Sequence, residues 1–173
     1  MDECFVRRWS NAVMIIKGII TEDFVNYKLP SLTIEFPYCD FKCDKECGQQ
    51  VCQNSPLLKE PDINIDAEHL INEYYLNNEI TKAVVMQGLE PFNSFFQMLQ
   101  FIYRLRVIHS CDDDIVIYTG YNESEIKTKV DILSKYKNII IKFGRYIPEQ
   151  ESHYDEVLGV SLASPNQYAK KIS

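Results

Sequence analysis

At 173 residues, with 46% hydrophobic and 25% charged side chains, the chain has the make-up of one soluble domain with a sizeable core. A net charge of −7 without any lysine or arginine run argues against a nucleic-acid partner. No apolar stretch approaches the roughly 20 residues of a membrane span, and the N-terminus lacks the apolar core and cleavage site of a signal peptide. A cytoplasmic protein with no membrane partner is therefore expected. Residues 1–12 read as an N-terminal extension and 13–173 as a single domain, since no repeat, low-complexity stretch or linker divides them.

In chain order, Val13 to Phe24 suggests a leading strand. Five apolar or β-branched runs follow: Leu32–Phe36, Ala83–Met86, Ile115–Tyr118, Ile139–Ile141 and Val157–Val160. Continuous runs of this kind suit strands buried on both faces of a parallel sheet. Helical patterns separate them. Asp66 is placed to cap a helix carrying Leu70, Ile71, Tyr74 and Tyr75 on one face. Phe92, Phe95, Phe96, Leu99, Ile102 and Tyr103 form an apolar stripe, and Asn122 with Glu125 resembles a capping box ahead of Ile126, Val130 and Leu133. The alternation predicts an α/β fold of βα units around a mainly parallel sheet of five to six strands. A full eight-unit barrel takes about 250 residues, so the expected architecture is an incomplete, TIM-like barrel, open along one side.

Each run is followed by a turn rich in Gly, Pro or polar residues. These are the cysteine loop, Gln87–Pro91, Thr119–Tyr121, Phe143–Arg145 and Ser161–Gln167. Ligands of parallel sheets sit at the C-terminal ends of the strands, so the five turns are placed to build one site.

Four of the six cysteines, Cys39, Cys43, Cys47 and Cys52, fall in the first of these turns. Structural disulfides are rare in the cytosol, where clustered cysteines more often bind metal or do redox work. A four-thiolate zinc site usually shows two pairs about two residues apart, whereas the intervals here are three, three and four residues. The alternative is a 4Fe–4S cluster. Three thiolate ligands would leave one iron open to a small molecule.

Cys39-Asp40-Phe41-Lys42-Cys43 resembles the opening of the radical S-adenosylmethionine motif. More narrowly, the chain is similar to activating proteins of anaerobic (class III) ribonucleotide reductase. Cys52-Gln53-Asn54 matches the ending of that motif, Asp23–Asn26 a segment ahead of it, and Tyr118–Tyr121 and Ser164–Gln167 later segments. The family's third cysteine normally follows two residues after the second. Here it follows after three (Cys47) or eight (Cys52), and the Gln-Asn after Cys52 favours Cys52, with Cys47 the alternative third ligand. The family's Gly-Gly-Glu-Pro stands as Gly88-Leu89-Glu90-Pro91, and Phe143 occupies a position where relatives often carry Asp.

The resemblance implies a radical enzyme with two cofactors, a 4Fe–4S cluster and S-adenosylmethionine. It implies that Cys39, Cys43 and Cys52 hold the cluster and that Glu90, in the Gly88–Pro91 turn, binds the amino group of S-adenosylmethionine. Thr119 and Tyr121 would contact its ribose or adenine, Arg145 its carboxylate, and Phe41 would cover the cluster or touch adenine. The implied partners are a glycyl radical enzyme, the anaerobic reductase, as protein substrate and a small electron-donor protein. Radical chemistry on another peptide or small substrate, or a zinc-stabilised interaction module, are the competing readings.

Other chemistry-bearing residues read as structural. His69, His109 and His153 lack metal-binding spacing, His153-Tyr154-Asp155 reads as a polar turn, and Asp112–Asp114 as a solvated helix-to-strand turn. Cys4 and Cys111 read as packing or surface thiols, and Arg7, Arg8 and Trp9 as an arm or a partner contact.

Overall fold

The computed structural model describes residues 13–173, so Cys4, Arg7, Arg8, Trp9 and the extension as a whole lie outside the described residues. The expected leading strand is two strands, β1 (Val13–Ile16) and β2 (Gly18–Asp23), followed by β3 (Ser31–Phe36). The cysteine loop contains a short helix, α1 (Lys42–Cys47), and leads through a 3₁₀ turn to β4 (Ile63–Asp66). Asp66 caps the next helix, its carboxylate accepting from the Glu68 and His69 amides. That helix, α2, starts as Ala67–His69 and continues in π-helical turns over Leu70–Leu76. After β5 (Ala83–Gly88), α3 comprises a 3₁₀ entry Pro91–Ser94, the α-helix Phe95–Tyr103 and a π-helical end Arg104–Ile108. Next come β6 (Asp114–Tyr118), α4 (3₁₀ Glu123–Ile126, then Lys127–Leu133), β7 (Ile139–Phe143), β8 (His153–Asp155), β9 (Val160–Leu162) and β10 (Tyr168–Lys171).

The main sheet has six strands in the order β10-β7-β6-β5-β3-β2. β3, β5, β6 and β7 run parallel, while β2 and β10 pair antiparallel at the two edges. The sheet is thus mixed, and its four central strands end on one side at Phe36, Gly88, Tyr118 and Phe143.

Side-chain alternation gives these strands two buried faces. Ile34, Val84, Met86, Ile115, Ile117 and Ile141 face the larger core, shared with Met98, Phe101 and Leu105 of α3 and Leu133 of α4. Ala83, Val85, Val116 and Ile140 face a smaller one, closed by Tyr27, Leu158 and Leu162. Helices cover the first face, and the second is covered by irregular chain from the β2–β3 loop and by the two-stranded β8–β9 hairpin.

Four expectations are corrected. Val157–Val160 is not a strand of the sheet. The buried Asp155 carboxylate accepts from the Val157 and Leu158 amides at 3.0 and 2.9 Å, and Gly159 adopts a left-handed φ of 73°, which bends the run into a turn. The edge position goes instead to β10, whose Lys170 and Lys171 suit an exposed edge. His153–Asp155 is a strand of the hairpin rather than a turn. Phe96, placed on the apolar stripe of α3, is 63% exposed, because the buried face runs through Met98, Phe101, Ile102 and Leu105. Asp113 and Asp114 do more than solvate a turn: they accept hydrogen bonds from the Tyr75 and Tyr27 hydroxyls and so latch both cores to the start of β6.

Ile117 lies at the centre of the sheet with no exposed surface, whereas Val107 on α3 is half exposed. Ile117→Ala should lower unfolding stability by about 2–5 kcal/mol, and Val107→Ala should change it by under about 0.5 kcal/mol. Chemical denaturation of the two variants checks this contrast.

Candidate metal centre

The cysteine loop is folded by its own polar groups. After Cys39, Phe41 takes a left-handed φ of 52°, and its amide donates to Cys39 Sγ at 3.2 Å. That reversal starts α1, which carries Cys43 and Cys47 one turn apart. Gly48, at φ 68°, ends the helix and sends the chain back. Asp44 Oδ1 then draws in the amides of Val51 and Cys52 at 2.8 and 2.9 Å. Asn54 anchors the return by donating to the Gly88 carbonyl at 2.6 Å.

This path brings Cys39, Cys43 and Cys52 onto one cavity of about 340 Å³ at the C-terminal ends of the parallel strands. Gly88, Glu90 and Thr119 line the same cavity. Cys47 does not; it faces a neighbouring pocket with Glu46 and Arg145, and Cys43 borders both. Gly88 has a φ of 96°, and a Cβ there would lie 2.6 Å from the Phe36 amide nitrogen, so only glycine fits.

Glu90 is the buried carboxylate of the site. Oε1 accepts from the Phe92 amide at 3.1 Å and the Thr119 hydroxyl at 2.8 Å, and Oε2 accepts from the Gly120 amide at 2.9 Å. Burial pushes its pKa up to about 6, against the pull of these three donors. Lys142, on β7, reaches the same cavity, donates to the Gly144 carbonyl at 2.9 Å and lies 5.9 Å from the centre of the Tyr118 ring. Burial lowers its pKa to about 8, with Cys43 and Glu90 acting in the opposite sense.

Other expected cofactor contacts lie outside this cavity's lining. Phe41 acts through its backbone reversal. Pro91 is buried at the start of α3. The Tyr121 hydroxyl sits 2.9 Å from both Asp40 Oδ2 and Asn93 Oδ1. Arg145 is engaged by Glu125 at 2.7 Å and Glu46 at 3.4 Å, so its guanidinium clamps α1 against α4 and faces the second pocket. Sequence reading missed Lys142 and the anchoring role of Asn54. The signal for Lys142 was a lone charge inside Ile139-Ile140-Ile141-Lys142-Phe143, since a strand buried on both faces has no solvent for it.

Cys39, Cys43 and Cys52 are free thiols. Burial pushes Cys39 up to about 12 and also raises Cys43 and Cys52. The Phe41 amide donates to Cys39 Sγ at 3.2 Å, and backbone amides of Asn54 and Ser55 near Cys52 and of Tyr146 near Cys43 act against the upward shift. Among the described residues no three Cys, His, Asp or Glu side chains converge closely enough to hold a single metal ion. The three thiols open on one cavity. That arrangement, with amide donors to sulfur, fits a multi-iron cluster, in which each thiolate binds a different iron.

The chain matches the family model of the 4Fe-4S single cluster domain over residues 32–164, and it belongs to that family. The family match makes this an iron–sulfur cluster domain. The matched span runs from β3 past β9 and takes in the cysteine loop and every strand end that borders the cavity. No curated protein and no solved structure matches the chain. Among the described residues no helix is long and apolar enough to cross a membrane.

The clamp on α1 should be acid-sensitive. The Arg145 hydrogen bond holds Glu125 down at about 2, below its ordinary 4.5. A depressed carboxylate contributes stability that is fully present above 4.5 and is lost as pH falls towards 2. Wild type should therefore lose more stability than Glu125→Gln over that window in denaturation at stepped pH. Parallel pH profiles for the two proteins would refute the clamp.

Proposed function

We propose that this protein is a radical S-adenosylmethionine enzyme, and more narrowly the activase that installs a glycyl radical on an anaerobic ribonucleotide reductase. The observation that carries the reading is that three cysteines, rather than four, open onto the cavity that Glu90 borders, with Cys47 facing the neighbouring pocket. Three ligands leave a cluster one iron free for a small molecule. The architecture that accompanies the reading is an incomplete barrel, whose open side admits a loop of a protein substrate.

A reduced cluster held by Cys39, Cys43 and Cys52 would supply the electron for reductive cleavage of S-adenosylmethionine and, through it, radical chemistry on the substrate. The chain's own residues ligate, orient and shield. Cys39, Cys43 and Cys52 hold the iron. Glu90 accepts from the cationic amino group, fixed for that task by Thr119 and the Gly120 amide. Asn54 locks the Gly88 turn against the third cysteine's loop. The protein substrate is the reductase, and a small electron-donor protein is the reductant's carrier.

Anaerobic reconstitution with iron and sulfide tests this reading. The expected product is a brown protein with about four irons per chain that forms 5′-deoxyadenosine from S-adenosylmethionine under reduction. Serine variants of Cys39, Cys43 and Cys52 should each lose the cluster, and Cys47→Ser should keep it. Cluster loss confined to the Cys47 variant would overturn the ligand set. A colourless zinc protein without deoxyadenosine formation would overturn the function.

A further inference from the structure

We infer that Lys142 is the cation that holds the carboxylate of the bound ligand's α-amino-acid end, opposite Glu90 at its ammonium. The inference rests on the reading above, that this cavity takes S-adenosylmethionine, and it moves the carboxylate contact from Arg145 to Lys142.

The charges facing the cavity carry the argument. Among its lining side chains Glu90 is the one carboxylate and Lys142 the one lysine or arginine. Both are more than nine-tenths buried. Each spends its hydrogen bonds elsewhere rather than on the other: Glu90 on Phe92, Thr119 and Gly120, Lys142 on the Gly144 carbonyl. An ammonium has three donors, so Lys142 reaches the cavity with donors to spare. A buried charge is unfavourable until paired with its opposite. One buried anion and one buried cation on the walls of a single cavity match a zwitterion, and the α-amino-acid group is the zwitterion that S-adenosylmethionine offers. Arg145 does not line this cavity: its guanidinium is paired with Glu125 and Glu46 and borders the neighbouring pocket.

The rival role for Lys142 is to offset the negative charge of the cysteine-bound cluster, and the experiment separates the two. The full-length, cluster-loaded protein and its Lys142→Met and Lys142→Gln variants are compared anaerobically. Equilibrium dialysis measures binding of S-adenosylmethionine and of its decarboxylated analogue. Iron content and the cluster's midpoint potential are measured alongside. Either variant should bind S-adenosylmethionine at least about tenfold more weakly, a loss of roughly 1.4 kcal/mol, while its affinity for the analogue stays at the wild-type value. Unchanged affinity for S-adenosylmethionine overturns the inference, and if the potential falls at the same time the charge belongs to the cluster. Equal weakening for both ligands, or loss of the cluster in both variants, assigns Lys142 a structural role and overturns it too. Cluster-loaded wild type that binds neither ligand overturns the S-adenosylmethionine reading itself, a result distinct from failure of the lysine alone.

Discussion

A single buried carboxylate ties together the strand ends on which the site depends. The Glu90 amide donates to the Tyr38 carbonyl at 2.8 Å, just before Cys39, and the preceding Leu89 amide donates to the Phe36 carbonyl at the end of β3. The side chain binds the start of α3 through Phe92 and the end of β6 through Thr119 and Gly120. The cysteine loop, the β5 turn and the β6 turn are therefore fixed relative to one another by one residue. Gly120 completes the arrangement, because a Cβ there would meet Cys43 Sγ at 3.5 Å and Glu90 Oε2 at 3.7 Å. The Cys43 thiol and the Glu90 carboxylate thus flank Gly120 at ordinary van der Waals distance.

The eight residues between Cys43 and Cys52 acquire a physical reason from the same region. A thiolate set needs three sulfurs on one cavity, and chain length between them matters only through the path it takes. Here α1 carries the chain away from the cavity, Gly48 reverses it, and Asp44 gathers the returning amides so that Cys52 arrives beside Cys43. Cys47 sits at the far end of the excursion. Its helical spacing from Cys43 places the two on one side of α1, but a full turn of rise carries Cys47 to the neighbouring pocket.

The central strands and the gathering of their C-terminal turns were legible, because runs such as Ala83–Met86 and Ile139–Ile141 are apolar without interruption and leave no solvent-facing alternative. The caps at Asp66 and at Asn122 with Glu125 were legible for a similar reason: they are local contacts spanning two or three residues. What stayed hidden depended on contacts distant in sequence or on one polar atom overriding an apolar run. Asp155 turns Val157–Val160 away from the sheet through two local hydrogen bonds. β10 has only a docked position against β7 to define it, with no apolar run of its own. Arg145 looked available because neither Glu46 nor Glu125 is near it in sequence, and the sheet brings both to its side.

The ionisable groups divide into two populations, and the division marks where an occupant belongs. Five of the groups facing the first cavity are displaced towards their neutral forms, with burial the largest cause: the three thiols and Glu90 upwards, Lys142 downwards. In the clamp beside it the displacement runs the other way. Glu125 is held down and Arg145 raised, because each already has its opposite charge. A finished ion pair needs nothing more, whereas a cavity that discourages charge on thiol, carboxylate and ammonium alike is stabilised by whatever supplies the missing counter-charges. Iron binding deprotonates thiols against this bias, and a zwitterion between Glu90 and Lys142 would relieve it at the opposite wall. Burial without a paired counter-charge is thus the common physical property of the groups from which the site is built.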